Sequence, residues 1–211
     1  MAKYELRKLM RFTVAIFAVV FSVYIIGGTF SSASGETILD GLTVTNELRC
    51  SKYKRSNWGS GWLSLRGTGL NTREEVLIAE SLTKDGMWLG PYNGVILRDA
   101  SNTDVDHMVP LKEACESGGR DWSTEKKKKY ANFQLTPNHL IVTSAGANRS
   151  KGARDPAQWM PANKSYWCTY LLDWTDIKRA WGLTVDKAEA AAIKLHWKTC
   201  AKFSNGIKTG R

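Results

Sequence analysis

Residues 104–110 have the sequence DVDHMVP, and two further segments follow it, HLIVT at residues 139–143 and NRSKG at residues 148–152. The first segment has the apolar character of a short buried strand that continues into a loop. The second is rich in β-branched residues and predicts another strand. We therefore expect a β-hairpin from about Val105 to Val142, interrupted by a long excursion, that packs on a helix starting near Asn148.

Taken together, the three segments resemble the HNH endonuclease family, also called His-Me finger or ββα-metal nucleases. The HNH domain of the RNA-guided CRISPR nuclease has a similar Asp-Val-Asp-His-x-Val-Pro run, a strand ending in Thr and an Asn-Arg-x-Lys run. The flanking sequence is similar to that of exported bacterial HNH nucleases, at Trp122, at YAN (130–132) and at DPAQW (155–159). The specific likeness covers about residues 100–185.

The resemblance implies an α+β fold. Its ββα-metal core would span about residues 100–155, between an N-terminal mixed α/β region and a C-terminal helical hairpin. Apolar residues at intervals of three and four, on both sides of the Gly182-Leu183-Thr184 connection, independently predict that hairpin, with Thr184 or Asp186 capping the second helix. We expect a single nuclease domain over residues 34–211.

Other local patterns predict further elements. Asn71 and Ser123 are typical helix N-caps, and the second would begin a helix that contains the four lysines of residues 126–129. Residues 86–97 are typical of two strands joined by a Gly-Pro-Tyr-Asn-Gly turn. Short apolar runs among Gly, Ser and Asn in residues 37–66 predict strands and turns.

The resemblance also implies a mechanism. His107 would be the general base, because neutral imidazole is suited to accept a proton from water near pH 7. Asp106 and Asn148 would hold one divalent ion, because carboxylate and amide oxygens are hard ligands. Mg²⁺ is favoured, with Mn²⁺, Ca²⁺ or Zn²⁺ as alternatives, and the products would be 5′-phosphate and 3′-hydroxyl ends.

His139 departs from the commonest family pattern, which has Asn at this position. That Asn orients the base histidine through its backbone. We place His139 with His107 among the catalytic residues and leave two roles open, orientation of His107 or ligation of the metal. Asp104 shares a strand face with Asp106 and is either a supporting partner of the site or a capping residue. His196 is expected to be structural.

The charge of the chain favours an anionic substrate. Lys and Arg number 30 against 20 Asp and Glu, which gives a net charge of +10. Such an excess favours nucleic acid or an anionic membrane, although it can also serve solubility alone. Arg149, Lys151 and Arg154 would neutralise phosphates of DNA, with RNA as the alternative; each could also belong to a solvated loop. The lysines of residues 126–129 form either a solvated helix face or a patch that contacts phosphates. Trp58 and Trp62 are the best candidates for exposed aromatic residues.

The N-terminus has the three parts of an export signal. Four basic residues precede an uncharged apolar run over residues 12–26, and small residues follow it. Residues 1–33 are therefore a signal peptide cut after Ala33, or an uncleaved anchor that leaves the domain outside the cytoplasm. Cleavage would remove four basic residues and one acidic residue, leaving +7. A secreted or periplasmic monomer is expected, in contact with a membrane only through this segment.

The four cysteines lack a Cys-x-x-Cys pair, so a zinc ribbon is disfavoured. An even number in an exported protein predicts disulfides. Four cysteines allow three pairings, and an antiparallel hairpin favours the one that brings Cys168 and Cys200 to the same end and leaves Cys50 to pair with Cys115. Four buried free thiols are the alternative.

Two alternatives to a catalytic nuclease remain at this point. One is a basic nucleic-acid-binding protein on an HNH scaffold that no longer cleaves. The presence of Asp106, His107 and Asn148 together argues against it. The other is a membrane-anchored protein that only binds anionic lipid, which the lack of a basic amphipathic helix disfavours.

Overall fold

The computed structural model describes residues 38–64, 66–134 and 138–206, with side chains up to residue 200. The predicted export segment, residues 1–33, lies outside the described residues. The described part is α+β, as expected, and lies within one compact unit. Its strands are β1 (Trp88–Gly90), β2 (Val95–Leu97), β3 (Thr103–His107) and β4 (Leu140–Ser144). Its α-helices are α1 (Thr72–Ala79), α2 (Leu111–Glu116), α3 (Thr124–Ala131), α4 (Ala145–Lys151), α5 (Trp167–Trp181) and α6 (Lys187–Gly206).

The strands form two separate antiparallel pairs. β1 pairs with β2, and β3 pairs with β4 with Asp106 opposite Ile141 and His107 opposite Leu140. Helices α2 and α3 fill the excursion between β3 and β4, which confirms the interrupted hairpin. Because side chains alternate along a strand, Asp104 and Asp106 leave the same face of β3. Val105 points the other way, into an apolar cluster that includes Val142.

Helix α4 begins earlier than the sequence predicted. Ser144, the last residue of β4, is its N-cap, and the Ser144 hydroxyl accepts a hydrogen bond from the backbone N–H of Ala147 at 3.2 Å. A capping side chain directly after the strand lets the helix start at once. Asn148, expected near the helix start, therefore lies inside α4, and its side chain reaches back across β3.

The N-terminal region is less regular than predicted. Residues 38–64 contain an isolated bridge between Val44 and Val185 and a 3₁₀ helix at Arg55–Trp58 in place of the expected strands. Side chains from other parts of the fold satisfy much of this backbone. The Arg179 guanidinium, for example, donates to the carbonyls of Ile38 and Asp40. Such long-range contacts have no signature in the local sequence.

The expected local signals are present elsewhere. Asn71 caps α1 in a reciprocal capping box with Glu74, and Ser123 caps α3. Asp186, rather than Thr184, caps α6, because its carboxylate accepts from the N–H of Glu189 at 2.7 Å. Of the helices that the structure describes, none combines the length and apolar character needed to span a bilayer.

Two disulfides join distant parts of the chain. Cys168 at the start of α5 is bonded to Cys200 in α6, which makes these helices an antiparallel hairpin. Cys50 in the irregular N-terminal region is bonded to Cys115 in α2. These are the two pairs expected from the sequence.

Candidate active site

A cavity of about 470 Å³ opens over β3 and α4. Asp104, Asp106 and His107 line it from β3, and Asn148 lines it from α4. The opposite wall comes from the irregular segment 53–62, with Tyr53, Arg55 and Trp62. The fold thus brings His107, Asp106 and Asn148 to one cavity, whereas His139, Arg149, Lys151 and Arg154 are not among its lining residues.

The His107 ring is held by a backbone carbonyl and a tryptophan. Its Nε2 lies 2.9 Å from the carbonyl oxygen of Ala131, and only 5% of the residue is exposed. A carbonyl can only accept, so Nε2 carries the proton and Nδ1 keeps the basic lone pair. The Trp62 indole stacks on the imidazole, with ring centroids 5.3 Å apart and planes 11° apart. Burial, together with nearby His139, holds the pKa of His107 well below its usual value, so the ring is neutral near pH 7.

Asp106 is anchored by two donors. Its Oδ2 accepts a hydrogen bond from the Tyr92 hydroxyl at 2.7 Å and from the Lys151 ammonium at 2.5 Å. Lys151 also donates to the carbonyl of His107 at 2.7 Å. These three bonds fix the orientation of Asp106 and of the end of β3, and both bonds to the carboxylate are made to Oδ2.

Lys151, which the sequence predicts to contact phosphates, is instead buried beneath the site, with 0% of the residue exposed. Burial lowers the pKa of Lys151, and Asp106 opposes that effect by favouring the charged ammonium. A buried cation needs a partner, and here Asp106 supplies it. An ammonium committed to Asp106 and to the His107 carbonyl does not reach a phosphate on the protein surface.

Asp104 and Asn148 form the other side of the site. The Asn148 amide nitrogen donates to Asp104 Oδ2 at 2.9 Å, which directs the amide oxygen away from that carboxylate. Asp104 is thus a direct partner of Asn148, one of the two roles left open for it. The carboxylates of Asp104 and Asp106 and the Asn148 amide oxygen are hard donors of the kind that Mg²⁺, Mn²⁺ and Ca²⁺ prefer. The donor set therefore fits such a divalent ion.

Two of the predicted phosphate contacts remain on the surface. Arg149 and Arg154 are exposed, and Arg154 donates to the carbonyl of Ser150 at 2.8 Å. Both lie at or just beyond the end of α4, outside the cavity wall. Trp58, expected to be exposed, is 2% exposed and belongs to the core, whereas Trp62 is half-buried against His107. His196, expected to be structural, is partly exposed and packs against Trp167, with the two ring centroids 4.7 Å apart.

His139 lies in the core behind His107. It is 1% exposed, its Nε2 donates to the carbonyl of Tyr130 at 2.8 Å, and its ring centroid is 6.3 Å from that of His107. His139 and His107 therefore donate to the carbonyls of two consecutive residues, His139 to that of Tyr130 and His107 to that of Ala131. Burial lowers the pKa of His139 from 6.5 to about 4.

A pH-dependent stability follows from this burial. The unfolded chain binds a proton at position 139 below pH 6.5, whereas the folded chain does so only below about pH 4. Stability is therefore lost as pH falls through this window. At about 1.4 kcal/mol per pKa unit, protonation of His139 lowers the free energy of unfolding by about 3 kcal/mol across the whole window.

The His139→Asn variant should lose that part of the pH dependence. We expect its free energy of unfolding, from denaturant titrations between pH 4 and 8, to fall less steeply toward acid than that of the wild type. His196→Asn is the matched control, because His196 is partly exposed, and its slope should stay close to wild type. Equal slopes for His139→Asn and wild type would contradict the prediction.

Three features of the site lie beyond the reach of sequence reasoning. Tyr92 comes from the turn after β1, the Ala131 carbonyl comes from the end of α3, and Trp62 comes from the irregular N-terminal region. The YAN run at residues 130–132 is one signal that pointed toward this part of the chain. Its contribution is a backbone carbonyl, which every residue has.

Comparisons with known proteins place the chain in a family of restriction endonuclease domains and give one secreted relative. Residues 77–194 match the family model described as GmrSD restriction endonucleases, C-terminal domain. The chain is also 34% identical over 179 residues to a protein of Arthroderma benhamiae, covering 81% of this chain and 86% of that protein. That relative is described as an uncharacterized secreted protein. No solved structure matches the chain.

Proposed function

Because the chain belongs to the family of the GmrSD restriction endonuclease C-terminal domain, we propose that it is a metal-dependent endonuclease of the HNH type. The proposed substrate is DNA, with RNA as the alternative. The observation that carries the proposal is His107, which is neutral, tied through Nε2 to the Ala131 carbonyl, and set on a cavity wall beside two carboxylates and Asn148.

In the proposed reaction, Nδ1 of His107 takes a proton from a water molecule as the water oxygen attacks phosphorus. The bond from phosphorus to the 3′ oxygen breaks, and the leaving oxygen takes a proton from solvent water, which leaves a 5′-phosphate and a 3′-hydroxyl. The Ala131 carbonyl keeps the tautomer that has its lone pair on Nδ1, and Trp62 limits rotation of the ring. Lys151 and Tyr92 orient Asp106.

Asp106 and Asn148 are the proposed ligands of one divalent ion, with Asp104 supporting Asn148. Mg²⁺ is favoured by the oxygen donors, with Mn²⁺, Ca²⁺ or Zn²⁺ as alternatives. When bound, the ion would stabilise negative charge on the phosphate and on the leaving oxygen. His139 is proposed as a positioning residue for the Tyr130–Ala131 backbone, since its ring is buried away from the cavity.

We also propose that the enzyme acts outside the cytoplasm, as a monomer. The two disulfides and the secreted relative support the location, because disulfides persist in oxidising compartments.

Plasmid cleavage with and without a chelator tests the proposal. We expect nicking or linearisation in Mg²⁺ and none in chelator, and nicks that a DNA ligase reseals directly, since resealing requires a 5′-phosphate and a 3′-hydroxyl. Asn148→Ala should need more metal for half-maximal activity, because it lacks one ligand, and part of its activity should return at high metal concentration. Exposed Gln158→Ala is the matched control and should keep the wild-type metal requirement.

Undiminished cleavage in chelator would contradict the metal requirement. Tight binding of plasmid without cleavage in any of the four ions would instead identify a non-cleaving scaffold.

A further inference from the structure

A second cavity, of about 370 Å³, lies beside the proposed active site. Tyr53 lines both cavities, so the two share a wall. Its other lining residues include four cationic side chains, Lys52, Lys54, Arg120 and Lys127, against one carboxylate, Asp121. The excess of positive charge in a concave surface concentrates electrostatic potential and favours an anion.

The four cations differ in what they already contact. Arg120 donates to the carbonyls of Leu48 and Arg49, and Lys127 donates to the carbonyl of Arg120 at 2.7 Å. These two side chains stabilise the backbone of the segments that line the cavity. Lys52 and Lys54 are exposed, and the described part of the structure gives neither of them an ion-pair partner. Their charges are therefore available to a ligand.

The lysines have a fixed place relative to the active site. They flank Tyr53, and the Cys50–Cys115 disulfide ties the same segment to α2, which follows β3. Tyr53 is half-buried, so part of its ring remains accessible. Cationic side chains interleaved with an aromatic ring are typical of surfaces that follow the backbone of a single nucleic-acid strand.

We propose that this second cavity binds the phosphate backbone of an unpaired stretch of the substrate strand next to the cleaved bond, through Lys52 and Lys54, with Tyr53 between the two subsites. The proposal rests on the proposed nuclease function, because it assigns the path of the same substrate. A cavity of this size accepts single phosphate and sugar groups and not the width of a duplex.

The test compares Lys52→Gln/Lys54→Gln with Lys187→Gln/Lys194→Gln. The control removes the same charge from exposed positions on α6 that line neither cavity. Binding is measured by fluorescence anisotropy in chelator, with a labelled single strand of about 12 nucleotides. We expect the affinity of the first variant at low salt to fall about tenfold. Its plot of log affinity against log salt should become less steep by about 1.4, since each lost single-strand phosphate contact contributes about 0.7.

A cleavage arm separates this proposal from the nuclease function. In Mg²⁺, kcat/KM of Lys52→Gln/Lys54→Gln should fall more with the single strand used for binding than with bis(4-nitrophenyl) phosphate. The small substrate has no flanking phosphates for the two lysines to contact. The control should match wild type on both. If the wild type cleaves neither substrate, the proposed nuclease function is wrong. The anisotropy measurement still tests whether the second cavity binds a nucleic-acid strand.

If wild type cleaves but the two double variants bind with equal affinity and equal salt slope, the second cavity is not part of the substrate path. Equal losses of affinity for single-stranded and duplex oligonucleotides of the same sequence would overturn the assignment to an unpaired strand.

Discussion

The His107→Ala variant is expected to cleave about 10²–10⁴-fold more slowly than the wild type, because it lacks the group that accepts the proton of the attacking water. Nucleic-acid binding should remain close to wild type, since affinity for phosphates comes mainly from Lys and Arg. Single-turnover cleavage and anisotropy in chelator measure the two quantities separately. His196→Ala, at a partly exposed histidine of α6, is the matched control and should keep full activity.

Because His107 is buried, its truncation also leaves space beside Trp62 and could lower activity by destabilising the fold. A second variant separates that effect from the loss of the base. In His107→Gln, the side-chain amide can still donate to the Ala131 carbonyl but offers no basic nitrogen. Its activity should be as low as that of His107→Ala, with a normal unfolding transition. Added imidazole should restore part of the His107→Ala activity. Full cleavage by His107→Ala in saturating metal would show that another group is the base.

The Lys178→Ala variant is expected to lose about 3–5 kcal/mol of stability, the usual result of removing one partner from a buried ion pair. Lys178, in α5, is 0% exposed, and its ammonium lies 2.6 Å from Glu113 and 2.7 Å from Glu189. It also donates to the carbonyl of Thr184 at 3.0 Å. Burial alone would lower the pKa of Lys178, but the two carboxylates outweigh it and raise the pKa.

This ammonium joins α2, α5 and α6. Among the described residues it is the only cation paired with Glu113 or Glu189, so its loss leaves two buried carboxylates without an ion-pair partner in that part of the chain. A third carboxylate, Glu47, lies nearby, and burial and the Glu113 charge raise its pKa to about 8. Denaturant unfolding at pH 7 measures the effect, with exposed Lys194→Ala as the control, expected within about 0.5 kcal/mol of wild type. A loss below about 1 kcal/mol for Lys178→Ala would mean that the cluster contributes little net stability.

The sequence predicted those features that local patterns encode. The helix caps at Asn71 and Ser123 depend on residues a few positions apart, and the strand containing His107 is visible in its apolar character. The disulfide between Cys168 and Cys200 followed from the helical periodicity around Gly182. Such features need no knowledge of what packs against them.

The remaining features depend on contacts between distant segments. Arg149 and Lys151 are near neighbours in the same basic run, yet one is exposed and the other buried, because only Lys151 faces Asp106. The partner of His107 is a carbonyl of Ala131, which carries no side-chain signal. The irregular segment that contains Trp62 owes its shape to contacts with residues far along the chain, and so its place on the cavity wall could not be inferred from its own residues.

The Cys50–Cys115 bond also bears on where in the cell the walls of the two cavities are completed. The segment that walls both cavities is tethered to α2 through this bond. A cytosol keeps thiols reduced, so a chain still inside the producing cell would have that wall untethered. If the protein is exported as proposed, the bond closes only after the chain has left that reducing compartment. The wall that the two cavities share would then be completed outside the compartment that holds the genome of the producing cell.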